Sequence, residues 1–276
     1  MMRNRHEIDE GKLKEALKRL PSLLFRYASL RAERREWIRD VILGSKIYYA
    51  SASSFNDPLD CHIPPDFRGS QLKIREYWRR YVKRKFPQEN VRNHKNLIAK
   101  MVSSSTIPQK RQPLIDAILE AMDKHGVVCF STIPNETLMW AYYADGQRGI
   151  CLGFSTTPEY LTGIPGMFFP IEVRYETDFP FVSYYDSDTF DFITTVFGVK
   201  DAAWAHEHEW RIISPSHVGY KRFPPAMLSQ VILGSRISND DETYIRQLIT
   251  QSKRAIKLRK VRHMDRRFTL ECVDIE

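Results

Sequence analysis

Apolar positions recur three and four residues apart over 7–20, where Leu13, Leu17 and Leu20 fall on one stripe ahead of Pro21. The same spacing over 31–43 sets Trp37, Ile38, Val41 and Ile42 on one face, with Gly44 as the C-terminal cap. The segment 23–27 reads as a short strand or extended stretch, and 46–50 as a strand followed by a turn-rich loop over 51–58. Residues 70–123 change character. They are basic and helical in pattern, with Tyr77, Trp78, Tyr81 and Val82 on one side of the first segment and Leu114, Ile115, Ile118 and Leu119 continuing the stripe.

From 126 the period shortens to that of strands. The pattern predicts strands over 126–131, 149–155, 169–175, 229–234, 255–261 and 268–273. A short helix is expected over 135–144 with Asn135 near its N-cap, and further helices over 189–205 and 239–251. The C-terminal half of 206–213 is strand-like. These elements predict an α+β fold: an N-terminal helix over 1–22, then one domain over 23–276 with a helical basic insertion at about 70–123.

Of the 276 residues, 42% are hydrophobic and 28% charged, enough for a sizeable core and against global disorder. The net charge of +8 permits contact with phosphate-bearing ligands, and Arg79, Arg80, Lys83 and Arg84 could meet a nucleic-acid backbone or form a solvated helix face. No apolar run suits a membrane span, and the first residues lack a signal-peptide core, so no membrane contact and a cytoplasmic location are expected. Cys61, Cys129, Cys151 and Cys272 lie far apart and read as buried free thiols rather than a disulfide or zinc framework. Walker A, GxGxxG, GxSxG and kinase motifs are absent from the sequence, which lowers the common ATPase, Rossmann, hydrolase and kinase readings.

Three polar-aromatic clusters carry the candidate chemistry: 48–61, 138–154 and 204–211. Ionised groups set among aromatics are costly unless paired or used. If 207–211 is extended, Glu207, Glu209 and Arg211 share a strand face, as a catalytic group or as an internal ion network. Asn56 and Asp57 before Pro58 form a turn or a ligand wall, with Asp60 and Cys61 as lesser candidates. Trp140 and Tyr143 are core aromatics or pocket lining, and Arg148 belongs to a tight turn between helix and strand or could reach a phosphate at the cleft edge. His206 and His208 lack a third spaced ligand, so no metal is expected.

Taken together, F25-R-Y27, the 48–61 cluster, L138-M-W with G149 to F154, E207-x-E-W-R211 and V231-I-L-G234 resemble the bacterial family of unknown function DUF2971 over about 23–260. Where members of that family often carry His, Tyr142 and Gln147 stand here, so an imidazole role is not expected. The family pattern in turn resembles a divergent ADP-ribosyltransferase, whose mixed β-sheet splits around a cleft that binds NAD. That resemblance implies NAD as substrate, with Arg26 or Tyr27 on the first core strand and Tyr48, Ser51 and Ser53 in a Ser/Tyr motif on a second. Glu209 would stabilise the cationic transition state, Glu207 would serve the acceptor and Arg211 would hold pyrophosphate. Toxin or phage-defence action would follow from the same likeness. A non-enzymatic nucleotide or nucleic-acid binding protein and a metal-dependent nuclease using Asp57, Glu207 and Glu209 stand as alternatives.

Overall fold

The computed structural model describes residues 10–157, 170–185, 189–215 and 217–275. The first part of the helix expected over 7–20 lies outside the described residues. Its remainder, α1 (Glu10–Arg19), stops ahead of Pro21. β1 (Leu23–Ala28) follows, then α2 (Ala32–Ile42), which buries Trp37, Ile38, Val41 and Ile42 as the pattern requires. The left-handed residue after α2 is Ser45, at φ 49°, not Gly44.

β2 (Lys46–Tyr49) leads into the insertion, which is three helices: α3 (Gln71–Lys85), α4 (Val91–Thr106) and α5 (Gln112–Asp123). Ser70 and Asn90 cap α3 and α4 by accepting from the backbone N–H three residues on. These helices close around their own aromatic core, where Tyr77 and Trp78 pack with Phe67 and Tyr185.

The chain then returns to strands: β3 (Gly126–Ser131), the short helix α6 (Thr137–Tyr143), β4 (Ile150–Ser155) and β5 (Pro170–Glu172). Glu136 caps α6, and Asn135 instead donates to Leu270 O at 2.8 Å. The single strand expected over 169–175 breaks at Val173, and β6 (Arg174–Glu176) pairs with β7 (Val199–Asp201) in a separate parallel ribbon. The helix expected to reach 205 ends early: α7 (Thr189–Gly198) passes into β7 and then a 3₁₀ turn over Ala202–Glu207. β8 (Glu209–Ser214), β9 (Gly219–Arg222), β10 (Leu228–Leu233), α8 (Asn239–Ser252), β11 (Lys257–His263) and β12 (Leu270–Asp274) complete the order.

Among the described residues eight strands form one mixed sheet in the order β12-β11-β10-β4-β1-β3-β8-β5, in which β10 and β11 are the parallel pair. Period 2 gives the sheet two apolar faces. Leu24, Val128, Phe130, Leu152, Trp210 and Ile212 meet α2 and α8 on one face. Val127, Ile171 and Ile213 meet α7 on the other. At Gly149, just before β4, a Cβ would sit 2.2 Å from Ala28 O, so only glycine lets the end of β1 come this close.

The sheet is nearly broken in its middle. β1 pairs along its whole length with β4 but meets β3 at one position, Phe25 opposite Ser131. Beyond that pair the strands part. Ala50 takes the vacated edge of β3 by exchanging both backbone hydrogen bonds with Val127, at 2.8 and 2.9 Å. β2 therefore leaves the main sheet and pairs with β9, forming a wall beside the opening.

Candidate functional site: a cleft at the split in the sheet

The parting of β1 and β3 opens a cleft of about 940 Å³. Arg26 spans the break: its Nη1 donates to Cys129 O at 2.8 Å, replacing a ladder bond the separated strands do not make, and its guanidinium lies 5.5 Å from the Trp37 ring. Arg31 and Arg34 line the cleft beyond it, with Tyr48 and Tyr220 packed edge to face at 5.2 Å on the β2–β9 wall. Asn56, Ser131, Tyr142 and Tyr143 line it as well, and Glu207, Glu209, Asp60 and Lys200 lie at its buried end.

A dense ion network forms that end. Arg211 is fully buried, and all five of its N–H groups have acceptors. Nε and Nη2 donate to the two oxygens of Glu209, each at 2.8 Å, and Nη1 and Nη2 to those of Asp60 at 2.8 and 2.7 Å. Phe197 O accepts from Nη1 at 3.0 Å. Lys200 stands beside it, bonded to Glu207, 3.3 Å from Glu209, 3.4 Å from Asp60 and 5.0 Å from the Trp204 ring. Tyr143 OH donates to the other oxygen of Glu207 at 2.6 Å.

Three carboxylates thus face two cations, with Arg26 across the break. Burial would raise Glu209, but the Arg211 fork and Lys200 outweigh it and hold the carboxyl at about 2. Burial and the charge of Glu209 push Glu207 the other way, above the usual carboxylate range. Burial would lower Lys200, and Glu209, Asp60 and Glu207 reverse that and raise it. Two neighbouring carboxylates with their acidities driven apart are what an acid–base pair requires.

The geometry corrects several expectations. Glu207 and Glu209 do not share a strand face. His208 is left-handed at φ 44°, ends the 3₁₀ turn and starts β8, so the two carboxylates converge on Lys200 from a turn and a strand end. Arg211 is saturated by protein acceptors and has no N–H left for a pyrophosphate. Ser51 and Ser53 bond Asp123 at the end of α5, at 3.1 and 3.0 Å, and are not among the cleft-lining residues, whereas Ser54, Phe55 and Asn56 of the same loop are. Asp57 is a loop brace: it accepts from Leu59 N and from Trp204 Nε1, both at 2.9 Å.

Trp140 has no exposed surface, donates to Pro134 O and belongs to the core. Tyr27 is among the cleft-lining residues, but its ring packs on Trp140 at 5.3 Å in the core and its hydroxyl donates to Ile133 O at 2.7 Å. Arg148 is exposed and bonds Asp145 O at 3.3 Å, and it does not line the cleft.

Lys200, Ser131 and Arg34 were not singled out from the sequence. Lys200 had a readable signal: it follows the mostly apolar stretch 192–199, broken by Thr194 and Thr195, and a lysine buried there needs carboxylate partners. Cys61 and Cys151 are the buried free thiols expected, pushed well up by burial, whereas Cys129, which lines the cleft, and Cys272 are half-buried. Among the described residues no group of three or more His, Cys, Asp or Glu could hold a metal ion, and no helix is long and apolar enough to cross a membrane.

Fold and site together define an α+β protein with a split mixed sheet and a carboxylate–cation network at the buried end of the resulting cleft. Residues 139–212, from α6 to β8, match the family described as protein of unknown function (DUF2971), and the expected resemblance to that family is borne out over this stretch. No curated protein and no solved structure matches the chain.

Proposed function

We propose that the protein breaks the nicotinamide–ribose bond of NAD and transfers ADP-ribose to an acceptor. One observation carries the reading: a basic side chain on β1, a serine on β3 and a glutamate at the start of β8 stand on three neighbouring strands around the break. Phe25, next to Arg26, is opposite Ser131, and Ser131 is opposite Glu209. A basic residue, a Ser-containing second strand and a later Glu are the order that the ADP-ribosyltransferase resemblance implies. Ser131 on β3 takes the place first given to Tyr48, Ser51 and Ser53.

The electrostatics suit the chemistry. As the bond breaks, its electron pair leaves with the nicotinamide nitrogen and positive charge grows on the ribose. A fixed anion at that point lowers the barrier, because its orientation is set before the reaction begins. Glu209, ionised and held by Arg211, supplies it from the buried end of the cleft. Glu207, the less acidic carboxylate, takes the proton of the attacking acceptor. Arg31 and Arg34 offer positive charge to the diphosphate, and Tyr48, Tyr142 and Tyr220 offer faces for stacking on planar rings.

The NAD reading is preferred to the nuclease alternative because Asp57 accepts from Trp204 and is not among the residues that line the cleft with Glu207 and Glu209. The test is incubation of the protein with NAD, alone and with RNA, DNA or cell extract, followed by measurement of free nicotinamide. Release above the protein-free control is expected. None under any condition would leave a binding protein without chemistry. Toxin or phage-defence action is proposed only through the same likeness.

A further inference from the structure

The charge of this chain is concentrated in one place. Residues 71–106, the span of α3 and α4, hold ten Lys or Arg against Glu76 and Glu89, an excess equal to the +8 of the entire protein. Outside that span 32 basic and 32 acidic residues cancel. The distribution also differs in kind. On β11 and β12, basic side chains pair with acids, as in Lys257–Asp274 and Arg262–Glu271. Among the described residues Arg79, Arg80, Lys83, Arg84, Arg92 and Lys95 have no acidic partner, and all six are exposed.

The spacing compounds the effect. Arg75, Arg79 and Lys83 follow one another at i, i+4, and so do Arg80 and Arg84. Like charges at that spacing repel and weaken a helix. α3 bears this because Ile74, Tyr77, Trp78 and Val82 anchor its other face in the insertion core. The ladder steps about 6 Å along the helix axis, close to two phosphate rises of about 3.4 Å on one nucleic-acid strand.

We propose that the outward face of α3 and α4 docks the phosphate backbone of a nucleic acid. A membrane fits less well. The apolar side of α3 is spent on the core, Leu72 and Val91 are exposed only at the two helix starts, and an interfacial helix needs an outward apolar stripe. A regular row of guanidinium and ammonium groups matches a regular row of phosphodiesters. The insertion also reaches the cleft. Asp123, the last residue of α5, holds the backbone of Ser53, and the adjoining Ser54, Phe55 and Asn56 line the opening. The docking surface stands whether or not the cleft consumes NAD.

The test is fluorescence anisotropy with labelled 20-nucleotide single-stranded RNA and 20-base-pair DNA duplex, at 50 and 200 mM salt. The full chain is compared with the exposed triple variant Arg79→Gln/Arg80→Gln/Lys83→Gln and with an Arg266→Gln/Arg267→Gln control in the β11–β12 turn. The first variant should lose at least tenfold in affinity at 50 mM. Its log–log salt slope for duplex should be shallower by about 2.7, or about 0.9 per lost contact. The control should bind as the parent does. Equal losses in both variants, no loss in the triple variant, or no binding by the parent to either probe would overturn the proposal. So would retention on phosphatidylserine vesicles through the same three side chains without nucleic-acid binding. Nicotinamide release is a separate readout, so failure here and failure of the NAD reading are distinguishable.

Discussion

Replacing Arg211 by Met keeps much of the side-chain volume and removes five donors from a site with no exposure. Glu209 and Asp60 then lose their fork, and Lys200 alone faces three carboxylates. Breaking a buried pair by removing one partner costs about 3–5 kcal/mol, because the remaining charge is left desolvated. Arg211 serves two partners, so the upper part of that range is expected. In a chain of this size it corresponds to a fall in Tm of roughly 8–20 °C.

Circular dichroism melts with urea titrations measure the loss, and pH dependence separates it from packing damage. In the parent, Glu209 sits at about 2, below its unfolded value, so its contribution is present above about 4.5 and is lost as pH falls toward 2. In the variant, burial acts on that carboxylate without the fork. Its pKa rises, and the deficit relative to the parent should shrink as pH falls from 7 to 5. A loss below about 1 kcal/mol, or a deficit independent of pH, would refute the assignment of Arg211 as the charge hub.

Other consequences are open to direct measurement. Glu207, raised by burial and by Glu209, carries the opposite sign: its contribution to stability grows as pH falls through its folded pKa toward its unfolded one, which a carboxyl-labelled NMR titration of folded protein would follow. Trp140→Ala should destabilise by about 3–5 kcal/mol in urea unfolding, because it empties a fully buried site and leaves Pro134 O without its donor. Cys61 and Cys151 should resist iodoacetamide at pH 8 in native protein and react after unfolding, read by mass spectrometry. Asp57→Ala should cost about 1 kcal/mol and blue-shift or broaden Trp204 fluorescence, since it removes an Asx brace and the indole acceptor together.

Periodicity carried most of the fold. The helices α2, α3 and α8 and the strands β3, β4 and β10 lie where 3.6- and 2-residue patterns put them, because each buries one face and local propensity agrees with tertiary need. The pattern could not tell that β2 leaves the main sheet, since a strand's hydrophobic alternation does not name its partner. Nor could it find the left-handed turn at His208, where a non-glycine residue adopts a conformation that tertiary bonds enforce.

The site was legible in its carboxylates and less so in its cations. Glu207 and Glu209 stood out as charges among aromatics. Arg211, beside them in sequence, invited a ligand role that only the positions of Asp60 and Phe197, 151 and 14 residues away, exclude. Ser131 meets Glu209 because β3 and β8 are neighbours in the sheet, an adjacency that short-range sequence pattern does not encode. Lys200 is only 7 and 9 residues from the two glutamates, but the 3₁₀ turn and the left-handed His208 that fold them back onto it are tertiary features the pattern does not show.

The most direct measurement is nicotinamide released from NAD by the parent and by Glu207→Gln and Glu209→Gln, each checked for a cooperative melt. Release by the parent is expected, with a loss of at least a hundredfold in each folded variant, as removal of a transition-state charge or a general base produces. Release undiminished in both folded variants would contradict the assignment of these carboxylates to NAD chemistry. Absence of release by the parent with every acceptor offered would contradict the NAD chemistry itself.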